Sequence, residues 1–380
     1  MLTDQKHLFS LPAEVTYLNG AYMAPQLKAS EAAGIENLRR KNRPYTITSD
    51  DFFAEQTVLK KRFAELVQIP DYRNVALIPS VSYGIANVAN NVSLAKGDEI
   101  VLVDEQFPSN VYVWKQLAKK KGASLKVIEP PRDFAARGEQ WNHNILQAIT
   151  HKTAVVAMPH IHWADGTLFD LRAVREKTRE VDSLLIIDGT QSVGALPFSV
   201  AELQPDALIC AGYKWLLGGY SLGVAYYCDA FNGGDPIEHS WMNRLHSENF
   251  AALTSYEDEF LPKAGRYSMG EASNFILVPM LIKALEQLLE WQPKNIQTYC
   301  DTISGATVEA LRSKGCFLED DAFRAKHLFG IYLPQSMSLE TIKRALLNQQ
   351  VHVSYRGNAI RVSCNVYNSE ADFKKLLSCF

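Results

Sequence analysis

The chain has 380 residues, 47% of them apolar and 21% charged, with a formal net charge of −3. Such a balance is ordinary for a soluble globular protein and offers neither a basic surface for nucleic acid nor an acidic tail. The length suits a large domain with a smaller one, or two domains.

The opening residues Met1 to His7 lack the apolar core of a signal peptide, and no apolar run approaches the ~20 residues of a membrane span. Cys210, Cys228, Cys300, Cys316, Cys364 and Cys379 are scattered, with no C-x-x-C pair. That scatter reads as reduced thiols, not as a disulfide frame or a zinc site. A cytoplasmic protein handling a small molecule is the expectation, with no nucleic-acid or membrane partner.

Short apolar runs predict strands at 75–78, 100–103, 125–128, 154–158, 184–187, 207–210 and 223–227. Most show no polar alternation, as in strands buried on both faces. Helical patterns fall between several of them. One covers 110–121 and stops at Gly122; another covers 171–181 behind Asp170, a good N-cap. A helix is also expected to start at about Gly84. After residue 227 the chain is loop-rich to about 273, and then helices are predicted at 275–291 and 293–314. The rest reads as strand, helix 339–349, strand 359–363 and helix 370–377. Alternating strands and helices predict an α/β fold with a mainly parallel sheet, followed by a smaller α+β unit. The expected division is 17–278 for the large domain and 279–380 with 1–16 for the small one.

Three segments carry the chemistry, all where strands end, the place where open α/β sheets bind ligands. Leu184–Asp188 delivers a carboxylate at a buried tip, where it should seek a cation. The next run ends in Gly212-Tyr213-Lys214-Trp215, a lysine between aromatics whose ammonium form burial would disfavour. Pro79-Ser80-Val81-Ser82-Tyr83-Gly84 is a hydroxyl-rich turn into a helix, a natural phosphate cradle. Taken singly, each has a plain reading: Asp188 as a turn cap, Lys214 as a surface side chain snorkelling past Trp215, and the serine turn as one of many. Together, an acid and an amine at neighbouring tips suit the two ends of a pyridoxal 5′-phosphate ring.

Asp188-x-x-Gln191 followed by Tyr213-Lys214 resembles the class V pyridoxal-phosphate aminotransferases of fold type I. That family includes cysteine desulfurases, kynureninases and isopenicillin N epimerase-like proteins. The resemblance runs from Tyr17-Leu-Asn-Gly-Ala to Ile360-Arg361-Val-Ser-Cys-Asn-Val-Tyr-Asn-Ser369. It implies fold type I with a seven-stranded, mainly parallel sheet, and a homodimer with the cofactor at the interface. It implies that Lys214 holds the cofactor as a Schiff base and then shuttles a proton. Asp188 would pair with the pyridine nitrogen, Gln191 would lie near the 3-hydroxyl, Phe107 would stack on the ring and Trp163 would lie beside it. Val81, Ser82 and Tyr213 match the phosphate pocket, and Arg361 matches the grip on the substrate α-carboxylate. The stretch that matches the partner-chain phosphate contact has Gly270-Glu271 where desulfurases have Gly-Thr, so Ser273, Asn274 or Trp241 is expected there instead. Ala211 stands where the family often has a phosphate-binding Ser.

Two patterns compete. Gly219-Tyr-Ser221-Leu-Gly223 fits a hydrolase nucleophile elbow, but here a turn precedes it and a strand is expected after it. His160, His162 and Asp165 offer too few convergent ligands for a metal. Within the family, a desulfurase needs a mobile Cys; in the longer-looped subclass it lies shortly before the carboxylate-binding arginine, and 351–360 has none. Cys364 follows Arg361 directly after the predicted strand, too constrained to swing, and Cys316 is a remote candidate for the other subclass. The reading is an amino-acid-acting enzyme, nominally an aminotransferase, with kynureninase-like, C–S lyase, desulfurase or epimerase chemistry as alternatives.

Overall fold

The computed structural model describes residues 2–380. Twelve strands occur among them: β1 (Thr16–Tyr17), β2 (Val75–Ile78), β3 (Glu99–Val103), β4 (Ser124–Ile128), β5 (Thr153–Pro159), β6 (Leu184–Asp188), β7 (Ala207–Ala211), β8 (Gly223–Tyr227), β9 (Leu328–Tyr332), β10 (Val351–His352), β11 (Ser354–Arg356) and β12 (Ala359–Ser363). The seven predicted runs all lie in one sheet, ordered β2-β8-β7-β6-β5-β3-β4. Only β8 runs against its neighbours, β2 and β7. This is the α/β fold with a large, mostly parallel sheet that the sequence predicts.

The missing alternation has a direct cause. Along β2, Val75 and Leu77 enter one apolar core while Ala76 and Ile78 enter the other. Both faces are covered, so neither needs polar residues.

Helix boundaries follow their caps. The helix after β2 begins at Val81, not near Gly84, because the Ser80 hydroxyl accepts the Tyr83 amide at 3.2 Å. Asp170 caps Leu171–Glu180 as expected, accepting from the amides of Arg172 and Ala173 at 3.1 Å. Gly122 closes Tyr112–Lys121 in a left-handed conformation. The predicted start at 275 is two residues early, because Asn274 Oδ1 accepts from Ile276 and Leu277 and the helix runs Leu277–Trp291. That helix packs on Lys28–Arg40 and Ala54–Leu66, two N-terminal helices with no strong periodic stripe in sequence.

Strands β11, β12 and β9 form an antiparallel sheet in that order. β1 pairs with β10 in parallel, and Thr16 donates to Asp372 at 2.8 Å, tying the N-terminal segment to the C-terminal part.

A buried ionic cluster joins the two larger sheets. Arg137 pairs with Asp165 at 2.7 Å and with Glu319 at 3.3 Å. The Tyr332 hydroxyl, at the end of β9, donates to Asp165 at 3.0 Å, and His162 Nδ1 lies 3.2 Å from the same carboxylate. Burial opposes ionisation of Asp165, but His162 and Arg137 outweigh it and hold the group well below the usual carboxylate range. His162 and Asp165 are thus committed to this network, and no cluster of metal-ligating side chains forms among the described residues.

Candidate active site

The C-terminal ends of β5, β6 and β7 open onto a cavity of about 350 Å³. Its walls include Val81, Ser82, Phe107, Trp163, Asp188 and Gln191, with Tyr213 and Lys214 beside them. Segments far apart in sequence meet here because parallel strands bring all their carboxyl ends to one edge.

β6 places Asp188 opposite Ile209 of β7. The turn beyond Ala211 then carries Lys214 into the same space. Lys214 is only 6% exposed. Its Nζ lies 5.3 Å from the Phe107 ring centre and 5.5 Å from that of Tyr213. Burial lowers its pKa to about 8; Asp188 opposes that fall, while Arg361 and Arg356 add to it. The lysine is a poised amine, not a surface side chain.

Asp188 accepts the Thr190 amide at 3.0 Å and has no salt-bridge partner among the described residues. Burial raises its pKa, against the pull of Thr190 and Lys214. A carboxylate held this way suits a buried cation.

Gln191 is fixed at both ends. Its amide donates to Ala21 O at 3.2 Å, and its Oε1 accepts from Trp215 Nε1 at 2.9 Å. Phe107 is 37% exposed and meets Trp163 edge to face, with ring centres 5.4 Å apart. The Trp163 indole donates to Glu105 O at 2.6 Å, which fixes its plane.

At the other end, Ser80 and Ser82 hydroxyls are 2.9 Å apart at the start of helix Val81–Asn91. The first amides of a helix have no intrahelical acceptor, so this end can receive an anion.

Arg361 is buried on β12, where Nη1 donates to Trp163 O at 2.7 Å and Nη2 to Ser354 Oγ at 3.3 Å. Its Nε has no partner. It stands behind Trp163 and outside the immediate cavity wall. Trp241 and Asn274 are not brought to the cavity within one chain. Trp241 packs with Phe52, Phe53 and Phe250, and Asn274 caps a helix. Ser273 is buried, with its hydroxyl 3.9 Å from Met242 Sδ.

Thr190, Tyr220 and Ser221 are among the wall residues not foreseen as part of this site. Thr190 receives the Ala211 amide on its hydroxyl at 3.1 Å while holding Asp188, so it locks the two tips together. The Asp-Gly-Thr turn was the available signal. Tyr220 tilts against Tyr213 at 4.7 Å. Ser221, considered only as a hydrolase nucleophile, also lines the cavity with φ +70. β8 follows it, so the strand-turn-helix of a nucleophile elbow is not formed. Every cysteine is free, and none lines the cavity.

Residues 48–376 match the model of the family described as aminotransferase class-V. An uncharacterized aminotransferase of Bacillus subtilis, YcbU, is 26% identical over 320 residues, covering 83% of this chain and 80% of that protein. A probable cysteine desulfurase of Halalkalibacterium halodurans is 31% identical over 147 residues, 39% of this chain and 34% of its own length. Among solved structures, the cystine C–S lyase C-DES bound to its product cysteine persulfide superposes with a TM-score of 0.83 at 19% identity, covering 96% of this chain and 97% of that one. The cysteine desulfurase CsdA of Escherichia coli gives 0.79 at 17% identity, covering 98% and 96%. At these identities the structural likeness concerns the fold.

Proposed function

The chain belongs to the aminotransferase class-V family and is a pyridoxal-phosphate-dependent enzyme, a transferase or a lyase; from that premise we propose that it acts on an amino acid, nominally as an aminotransferase, through Lys214. The observation that carries this reading is the Lys214 amine, held at a lowered pKa between two aromatic rings, with Asp188 at the adjacent strand tip.

The residues present fit the cofactor. Asp188 is a buried carboxylate with no salt-bridge partner among the described residues, and a protonated pyridine nitrogen would supply one. The serine-rich helix start, with the Val81 and Ser82 amides, would take the phosphate. Phe107 would cover one ring face and Gln191 would face the ring hydroxyl. When bound, the cofactor supplies an aldehyde that captures amines and a ring that accepts electron density from the substrate α-carbon.

The protein's own contribution is positioning and proton traffic. Lys214 would hold the cofactor through its neutral amine, and the same amine would serve as base and then acid for the proton at the substrate α-carbon. Arg361 would hold the α-carboxylate with the N–H donors that its two structural contacts leave free. Phe107 and Tyr213 flank the amine, whose burial shields it from most water. Transamination is the nominal outcome; the lack of a cysteine in the cavity lining argues against desulfuration alone. A C–S lyase needs no such cysteine and is the close alternative. The reading includes a cytoplasmic homodimer, with Trp241 or Asn274 of one chain serving the phosphate of the other. No described helix is long and apolar enough to cross a membrane.

Two measurements test it. Borohydride treatment of the coloured holoenzyme should fix the cofactor on the tryptic peptide containing Lys214. Attachment elsewhere, or a colourless protein that stays so with added pyridoxal phosphate, sinks the proposal. Incubation with single amino acids then separates reactions: keto acid with aminated cofactor marks transamination, whereas released sulfide or ammonia marks a lyase.

A further inference from the structure

Two arginines converge on Trp163, and only Arg361 has a role so far. The register of β11 and β12 sets Ser354 opposite Arg361. Ser354 and Arg356 are two apart on β11, so their side chains leave the same face. Arg356 is therefore the diagonal neighbour of Arg361, with roots roughly 7–8 Å apart in such a pair. The Arg356 guanidinium lies 5.2 Å from the Trp163 ring centre, and that of Arg361 lies 5.9 Å away.

Neither guanidinium has a carboxylate partner among the described residues, and in both the Nε is buried without an acceptor. Arg356 uses Nη1 on its neighbour's carbonyl, Tyr355 O, at 2.7 Å. Like charges set side by side and partly desolvated are unfavourable unless an anion joins them. The strain is felt locally: burial and then the Arg356 charge push the Arg361 pKa down to about 9. Both charges also oppose protonation of Lys214.

The two differ in depth. Arg361 is fully buried with two donors already used, whereas Arg356 sits half-buried at the hairpin rim. One carboxylate held by both would leave this offset unexplained. Resting on the amino-acid reading above, we propose that Arg356 recognises a second anionic group, and that the substrate is an acidic amino acid of the dicarboxylate class. Arg361 takes the α-carboxylate, and Arg356, stacked on Trp163, takes the side-chain carboxylate. Trp163 then borders both anion sites as well as the cofactor space. Arg356 is a specificity residue, not a catalytic one.

The test uses isosteric pairs on the holoenzyme, with dissociation constants read from the change in visible absorption. L-aspartate is compared with L-asparagine, and L-glutamate with L-glutamine. The wild-type protein is expected to bind the acid about 10- to 100-fold more tightly than its amide, the range of one charge-assisted hydrogen bond. Arg356→Gln should collapse that ratio toward one, and Arg356→Lys should restore part of it. Arg361→Gln should weaken acid and amide together and keep their ratio. Equal binding of acid and amide by the wild-type protein overturns the proposal while leaving the amino-acid reading intact. So does an Arg356→Gln variant that weakens both members alike, since Arg356 would then share the α-carboxylate. If no amino acid perturbs the spectrum of a protein whose cofactor is fixed on Lys214, both readings fall.

Discussion

Asp188 and Lys214 leave adjacent parallel strands at one edge of the sheet, and each opposes the shift that burial imposes on the other. Burial raises the carboxyl pKa and lowers the amine pKa; the facing charge resists both. The pair is thus held near neutrality by its surroundings and near ionisation by its neighbour, a balance that a cationic ring would tip.

The amine predicts a pH profile. With a pKa of about 8, roughly a tenth of Lys214 is neutral at pH 7, against well under ~0.1% at the ordinary value of 10.5. The rate at which cofactor-free protein captures pyridoxal phosphate should rise with pH and level off above about 8. Stopped-flow absorbance measures it; a rate still climbing in proportion to hydroxide at pH 10 contradicts the buried amine. The same shift affects stability. The folded pKa lies below the unfolded one, so between about 8 and 10.5 the unfolded chain binds more protons and stability rises with pH. Below about 8 the burial penalty on the ammonium is at its full size. Lys214→Met should therefore raise the melting temperature of the cofactor-free protein at pH 7 by a few degrees.

Asp188→Asn tests the other tip. The amide keeps the shape and the contact with Thr190 but gives up the negative charge that a pyridine nitrogen needs. Turnover should fall by about 100-fold or more, the scale on which one charge-stabilising group acts. The visible band of the holoenzyme should move as the ring loses its proton. A variant that keeps both its turnover and its spectrum would remove Asp188 from the cofactor's end.

The strands of the large sheet were legible in sequence because both faces are buried, and apolar runs such as Leu184–Asp188 need no tertiary information to be seen. Lys214 and Asp188 were legible because each closes such a run. Gln191 was named from its motif, but its two hydrogen bonds depend on Ala21 and Trp215, which only the fold brings near. Thr190 and Ser221 line the cavity through turn geometry that composition does not reveal. The helices Lys28–Arg40 and Ala54–Leu66 stayed hidden because their apolar patterns are weak: the first buries only Ser30 and Gly34, and the second mixes Gln56 with Leu59, Phe63, Ala64 and Leu66 and packs on β2 as well as on Leu277–Trp291. Arg356 carried no sequence signal of its own; strand register places it diagonally beside Arg361.

The ionic cluster predicts a stability defect far from the chemistry. Arg137→Ala would leave Asp165 and Glu319 facing each other in a buried site. Losing one partner of such a network costs about 3–5 kcal/mol. The urea midpoint should drop accordingly, without a matching change in the slope of the transition. The residual folded enzyme should bind cofactor normally, because none of the cluster lines the cavity. A midpoint within error of the wild-type value would mean that water already solvates the two acids.

Gly166 couples stability to the site. It lies three residues after Trp163 in the loop that leaves β5, with φ +81, a conformation that side chains disfavour. A Cβ there would strike the backbone of β9 at Leu328 and Phe329, which has no freedom to retreat within its ladder. Gly166→Ala should therefore push the loop off β9, not merely strain it. Asp165 would move with it, loosening its hold on Gly330 and Tyr332. Trp163 would shift relative to Arg361, whose Nη1 is bonded to the Trp163 carbonyl. The expected signature is a lowered melting temperature together with weaker amino-acid binding and intact cofactor attachment on Lys214. If the melting temperature falls while amino-acid affinity is retained, the loop's geometry is uncoupled from Trp163, and Trp163 does not depend on this turn for its position.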